Sequence, residues 1–474
     1  LGYSISTRTG NDIIVAGAPQ FFRNNQYGAA FIYRQDPTGA STEIARFRPG
    51  ISGTTEYGHC VVYDDTNFAS LGYGLFFVGA PGAYSNAGAV KISAMDDVLF
   101  TQSTSTWITN PTPDIGRFGS SIFVERNTST KIVLIGAPAD SGAVYSYSVS
   151  NNNGSIAVSS PITVVDADKT LTSSSEWGYS ISGSDNAAYI AVGAPGHNNN
   201  TGFVTIFNKS LVKVATIESP VGTNGRFGET VKISSTGQYL FIGAPEVENS
   251  DASNGKIVVY KNTNGTFVLD QILENPVTDD GMKFGKAISV NELTNILSVS
   301  ALGPNHTFPT TVDNGKTTFD GGITYFTGTT VNSGAVYVYN RLNNRYVLGQ
   351  EITADAISTT AGTDYGTSVV LEDSTILVGA PATSNASTQA GFYRFNRINN
   401  LTNSWSKIRS QDPLVDVSTI QRISLINTDK DAVVEYLDVI DPLKGKVAGI
   451  AEQELSYKLV SDPAIYSIGV AGTN

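Results

Sequence analysis

The chain has 474 residues, a formal net charge of −12, 40% hydrophobic and 15% charged residues, 47 glycines and one cysteine. The acidic balance disfavours a nucleic-acid partner, which needs a basic footprint; a lone cysteine excludes an intrachain disulfide and a cysteine-based zinc site. No apolar run approaches the ~18 residues of a membrane-spanning helix, so no membrane insertion is expected, and the Gly, Ser, Thr and Asn content points to a soluble all-β chain.

In chain order, three short words recur. The first is an aromatic residue followed by glycine: Tyr57-Gly58, Phe118-Gly119, Trp177-Gly178, Phe227-Gly228, Phe284-Gly285 and Tyr365-Gly366, with Leu1-Gly2 as a clipped first copy. Because the chain opens inside this pattern, it is expected to be a processed product or part of something longer. The second word is an apolar run ending in Gly-Ala-Pro, at 13–19, 76–81, 133–138, 190–195, 240–245 and 376–381. The third is a glycine followed by alternating residues, at 28–33, 88–93, 142–147, 202–207, 255–260, 334–339 and 391–395.

Each unit therefore predicts four strands: one after the aromatic-Gly pair, one into Gly-Ala-Pro, one after the third glycine, and a variable fourth. Alternation such as Val336/Val338 against Tyr337/Tyr339 is the period of a strand with two faces. The continuous run before Gly-Ala-Pro suits a strand buried on both faces. Proline cannot donate to a ladder, so it should end that strand. Gly-Ala before it should permit close backbone approach. Seven four-stranded sheets that cannot bury their faces alone pack radially, as a seven-bladed β-propeller over residues 1–410. Cys60, in a strand pattern, is expected to be a buried, inert thiol.

These words resemble the FG-GAP repeats of integrin α-subunit propellers. Unit six departs from them, with Ser300-Ala301-Leu302 where Gly-Ala-Pro should stand. The integrin-type Asp-x-Asp-x-Asp-Gly loop is missing from every unit, and the nearest fragments, 249–255 and 312–322, read as ordinary polar turns. No metal and no cofactor are expected.

Strand direction alternates within a blade, so the loops after Gly-Ala-Pro and the blade-to-blade connections should share one face, where binding loops on a β scaffold usually sit. The longest is 305–333 in unit six, where Phe308, Phe319, Tyr325 and Phe326 exceed the apolar content a solvated linker needs. They are the candidate binding residues; an extra hairpin capping its own blade is the other reading of that segment. Nothing nominates catalytic residues. His59, His197 and His306 fall in three units, and neither a His-Glu-x-x-His nor a Gly-x-Ser-x-Gly elbow occurs. Eight Asn-x-Ser/Thr sequons fit either glycosylation or the chance yield of an Asn/Ser/Thr-rich chain.

After residue 410 the repeat ends, and 411–474 forms a separate linker module. Its alternating runs around 427–431 predict a β-hairpin, and 449–459 a short helix. Leu437-Asp438-Val439-Ile440-Asp441-Pro442, Gly445-Lys446-Val447 and Asp462-Pro463-Ala464-Ile465-Tyr466 resemble a block in very large virion structural proteins of marine tailed, cyanophage-like phages. The resemblance implies a phage virion protein, with further domains to follow. Its partners would be other virion proteins or a host-surface glycan or protein, and no catalytic residue comes with it. A cellular integrin-like surface adhesion protein and a secreted enzyme on a propeller scaffold are the alternatives.

Overall fold

The structure is a computed structural model of the chain. It describes residues 1–411, apart from 8–11, 24–25, 36–40, 65–72, 97–101, 114–115, 127, 167, 250–251, 277–280, 303–315, 320–322, 327–333, 354–363, 373–374, 382–390 and 400–403, together with 421–426 and 433–439. Residues 1–411 and 412–474 form two compact units.

The first unit is an all-β propeller of seven blades, each built on four antiparallel strands, with a short fifth strand added to blades 1 and 3. Blade 4 shows the plan, with strands Ser180–Gly183, Tyr189–Ala194, Phe203–Asn208 and Lys213–Glu218 in that order across the sheet. The apolar runs occupy the second position and are buried on both faces, as in Tyr239–Ala244 and Ile296–Ala301. Their side chains go alternately to two different cores. Val133 and Ile135 join the core between blades 2 and 3, whereas Leu134 joins that between blades 3 and 4. Val336 and Val338 likewise face blade 7 while Tyr337 and Tyr339 face blade 5. The hydrophobic core is thus a set of seven wedges between neighbouring blades. The seventh, with Ile5, Ile14 and Phe31 against Leu377 and Phe392, closes the ring. No strand is exchanged at the closure, since blade 7 draws all four strands from Ser368–Gln411.

The repeated words read one another across blade boundaries. Each aromatic ring of the first word is wholly buried, Trp177 at 1% exposure and Tyr57, Phe118, Phe227, Phe284 and Tyr365 at 0%. The aromatic residue's N–H donates to the carbonyl just before the third-word glycine of the preceding blade, as from Phe118 to Ala87, Trp177 to Ser141 and Phe284 to Asn254. A β-carbon on that glycine would collide with the aromatic residue's backbone, at 2.2 Å for Gly142 against Trp177.

The remaining two glycines stack on each other for different reasons. Gly178 lies at φ +87°, where only glycine is unstrained. Gly136, Gly193 and Gly243 have ordinary backbone, but a β-carbon would lie 2.0 to 2.3 Å from the carbonyl oxygen of the next blade's Gly178, Gly228 and Gly285. They occupy equivalent positions in adjacent blades, and Gly379 meets Gly2 in the same way. The clipped first copy is a working one. Opposite the Gly-Ala-Pro glycine stands a hydroxyl residue, two places after the aromatic-Gly pair. Ser4, Ser121, Ser180 and Ser368 each donate to the next blade's glycine carbonyl at 2.7 to 2.9 Å, the last across the closure to Gly2.

Proline ends the strand as expected in five of six blades. In blade 1 the strand runs Ile13–Arg23 through Pro19, because the register breaks between Ala18 and Phe22 and no ladder bond is asked of the proline. In the second unit, Gln421–Ile426 pairs antiparallel with Val433–Val439, the expected hairpin; the expected helix at 449–459 lies outside the described residues.

Candidate binding face

The loops after Gly-Ala-Pro and the blade connections do share one face, where they hydrogen-bond to one another: Gly82 N to Thr55 O, Arg117 N to Asn86 O, Arg226 N to Asn200 O and Glu246 N to Gly225 O. Two series of residues converge here on the propeller axis. The residues just before the aromatic are Glu56, Arg117, Glu176, Arg226, Lys283 and Asp364. Those just after the glycine are Tyr3, His59, Ser120, Tyr179, Glu229, Lys286 and Thr367. Both positions vary while the words around them are constant, and that contrast is the sequence signal that marks them. None of these residues is among those expected from the sequence, which points to the loops instead.

Opposite charges of these two series are tied together from blade to blade. Arg117 Nη2 lies 2.9 Å from Glu56 Oε2, and Arg226 Nη2 lies 2.7 Å from Glu176 Oε2. Arg226 Nε also reaches Glu229 at 2.5 Å, and Lys286 pairs with the same carboxylate. Burial pushes the Glu229 carboxyl up, but Lys286 and Arg226 outweigh it and hold it below the ordinary value. Lys286, pulled down by burial, is raised overall by Glu229. The Tyr3 ring rests on His59 at 4.9 Å, and the Arg226 guanidinium lies 5.4 Å from the Tyr179 ring. Burial raises both tyrosines. Burial and then Arg117, against Glu56, lower His59 to about 4. The mouth is thus a rigid ring of fixed charges and half-buried aromatic faces. Its imidazole and phenols are tuned away from neutrality, whereas a general base works best near it.

One imidazole–hydroxyl pair occurs among the described residues, His197 Nδ1 with Ser175 Oγ at 3.1 Å. Ser175 is wholly buried, and its hydroxyl accepts the Thr172 N–H, so it pins a turn. Burial pushes the Cys60 thiol up to about 12. Among the described residues, no group of three or more His, Cys, Asp or Glu could hold a metal ion.

Of the candidate residues from the sequence, Phe308 lies outside the described residues, as does His306. Phe319, Tyr325 and Phe326 fall in a two-stranded hairpin, Lys316–Phe319 with Ile323–Phe326, inserted between the second and third strands of blade 6. Their side chains are outside the described set.

No family model and no curated protein matches the chain. Among solved structures it is similar to a candidate 6-phosphogluconolactonase from Bacteroides fragilis, with 9% identity, 86% of this chain and 96% of that one covered, and a TM-score of 0.52. It is also similar to one from Bacteroides uniformis, with 14% identity, 75% and 86% covered, and a TM-score of 0.45. At 9% identity the likeness to the Bacteroides fragilis protein extends to the fold alone, not to the activity in its name.

Proposed function

We propose that this chain is a non-enzymatic structural and adhesive component of a phage virion, on a tail or similar appendage. Its propeller would bind another virion protein or a host-surface glycan or protein. The observation that carries the adhesive part is the division of labour along the repeat. The constant words are consumed in joining blades, while the variable residues gather on one face of a rigid ring. Regular, pre-organised surfaces of this kind bind without the cost of ordering loops. The virion part rests on the C-terminal block and its hairpin, whose second strand carries Leu437-Asp438-Val439.

A cellular integrin-like adhesion protein is the second reading. The sequon residues Asn153, Asn199 and Asn264 are exposed in turns, where a glycan would fit. Peptide mass spectrometry on density-gradient-purified particles separates the two. We expect this chain's peptides alongside those of the capsid, with the three asparagines unmodified. Absence from particles, with glycan mass on those asparagines in a cell-surface fraction, would overturn the virion reading.

A further inference from the structure

The far end of the axis, away from the Gly-Ala-Pro loops, holds a cavity of about 380 Å³ lined by the first strands of all seven blades. This is within the size range of small-molecule sites. The fourth residue after each aromatic-Gly pair contributes to its wall, and in three blades it is a serine. Ser6, Ser182 and Ser289 each accept a backbone N–H from the next blade, from Tyr63, Ile233 and Leu371 at 2.9 to 3.0 Å. A hydroxyl that accepts in this way keeps its own hydrogen to donate. None of the three has an acceptor for it among the described residues.

In blade 5 the same position is Lys232. It is partly buried and lines the cavity, and among the described residues its ammonium has no hydrogen-bond or ion-pair partner. Burial, with Arg126 nearby, holds it below the usual lysine value against the opposing pull of Asp185 and Glu372. These carboxylates act on it from beyond contact distance, so burial of the ammonium is not offset by a direct hydrogen bond, which an incoming oxyanion would supply. Four donors therefore face one space, and a carboxylate offers two oxygens with about four acceptor sites.

The cavity also limits what can enter. Asp185, Glu292 and Glu372 line it as well, from beyond the ends of the same strands. Glu292 is held there by Ser235 and Thr236 at 2.6 to 3.1 Å. This acidic collar opposes polyanions but accepts hydrogen bonds from hydroxyl groups.

We propose that the axial cavity binds a small hydroxylated monocarboxylate, a sugar acid. Its carboxylate lies on Lys232 and the serine hydroxyls, and its ring hydroxyls turn toward Asp185 and its neighbours. The site is on the opposite end from the binding face described above and does not depend on it.

Isothermal titration calorimetry on the full chain at pH 7 tests this with three probes: D-glucuronate, D-glucose as the neutral ring, and citrate as the polyanion. D-glucuronate should bind saturably with one site per chain, at least tenfold tighter than either control. Lys232→Met should weaken it at least tenfold without lowering the melting temperature, because the ammonium it removes is unpaired. Asp185→Asn, which leaves Lys232 in place, should narrow the gap between citrate and D-glucuronate. Equal binding of glucose, no saturable binding of D-glucuronate, or an unchanged affinity in Lys232→Met would each overturn the proposal. Should Lys232→Met fail to fold, an unchanged citrate-to-glucuronate ratio in Asp185→Asn would do the same.

Discussion

Blade 6 and the blades that set a serine opposite the Gly-Ala-Pro glycine solve one packing problem in two ways. In blade 4, Ser180 faces Gly193, and the serine hydroxyl crosses to the next blade's Gly228 carbonyl at 2.7 Å. In blade 6 the pair is reversed in chemistry. Ala287 stands at the serine position and Ser300 at the glycine position, and the Ser300 hydroxyl turns back to accept its own blade's Ala287 N–H at 2.9 Å. The first strand of blade 6 carries a register break between Phe284 and Ile288, and Leu302 stands where proline does elsewhere. The difference teaches that Gly-Ala-Pro is a word about the next blade. Its glycine is small because a neighbour's carbonyl fills the space, and a side chain is tolerated only where the facing strand has been re-cut.

The largest way to break this comparison is Gly193→Val in blade 4. The new side chain meets the Gly228 carbonyl with no flexible group to yield, so urea denaturation should show a loss of about 3 kcal/mol or more, at the top of the overpacking range. Next comes Ser300→Gly, which restores the common residue in the wrong context. It leaves the partly buried Ala287 N–H without its acceptor and should cost about 1–3 kcal/mol. If glycine is instead stabilising there, blade 6 is merely degenerate.

Blade 2 is the other exception at the hydroxyl position, where Cys60 replaces serine beside His59. The folded imidazole titrates near 4, below the ordinary value of about 6.5. Between those values the unfolded chain takes up a proton that the folded chain refuses, so stability should fall as pH drops through that window and level off below it. His59→Gln should remove that slope, about 1–2 kcal/mol at pH 5. Equal acid sensitivity of both proteins would contradict it.

The smallest effect concerns the other peculiarity of blade 6. Deleting 306–332 and joining Asn305 to Ser333 through a short Gly turn should change stability by less than about 1 kcal/mol, since loop length costs little, while weakening attachment to the partner surface. Unfolding would make the insertion part of the blade. Unchanged binding would move the contact to the ring of Tyr3, Tyr179 and Arg226. Excess EDTA should leave the melting temperature where calcium does, because the expected protein has no tight metal site to lose.

Much of this fold is legible in the sequence because each word has a local cause: a period of two, a proline, a glycine. Seven units, their strand order and the shared loop face follow from that. The serine two places after the aromatic-Gly pair in four of the blades is visible in GYSIS and FGSSI, yet its partner is a carbonyl 48 to 57 residues away in blades 1, 3 and 4, which no window of local pattern contains. The axial ring is harder still. Tyr3, His59, Tyr179, Glu229 and Lys286 become neighbours only when seven first strands converge: their variability beside constant words marks the positions, but not that they meet. Strand passage through Pro19 depends on a break in register, which periodicity does not encode.

The central claim, that the glycine and the serine are two halves of one contact with the next blade, is tested most directly by a double-mutant cycle in blade 4. Stability is measured by urea denaturation for the wild type, Gly193→Ser, Ser180→Ala and the double variant, which copies the blade 6 arrangement. The β-carbon of Gly193→Ser would lie 2.5 Å from the Ser180 hydroxyl oxygen, so removing that oxygen should recover part of the loss. The account predicts a double variant more stable than the sum of the single changes by about 1 kcal/mol, well outside the ~0.5 kcal/mol within which independent sites add. Strict additivity, or a double variant worse than the sum, would contradict it.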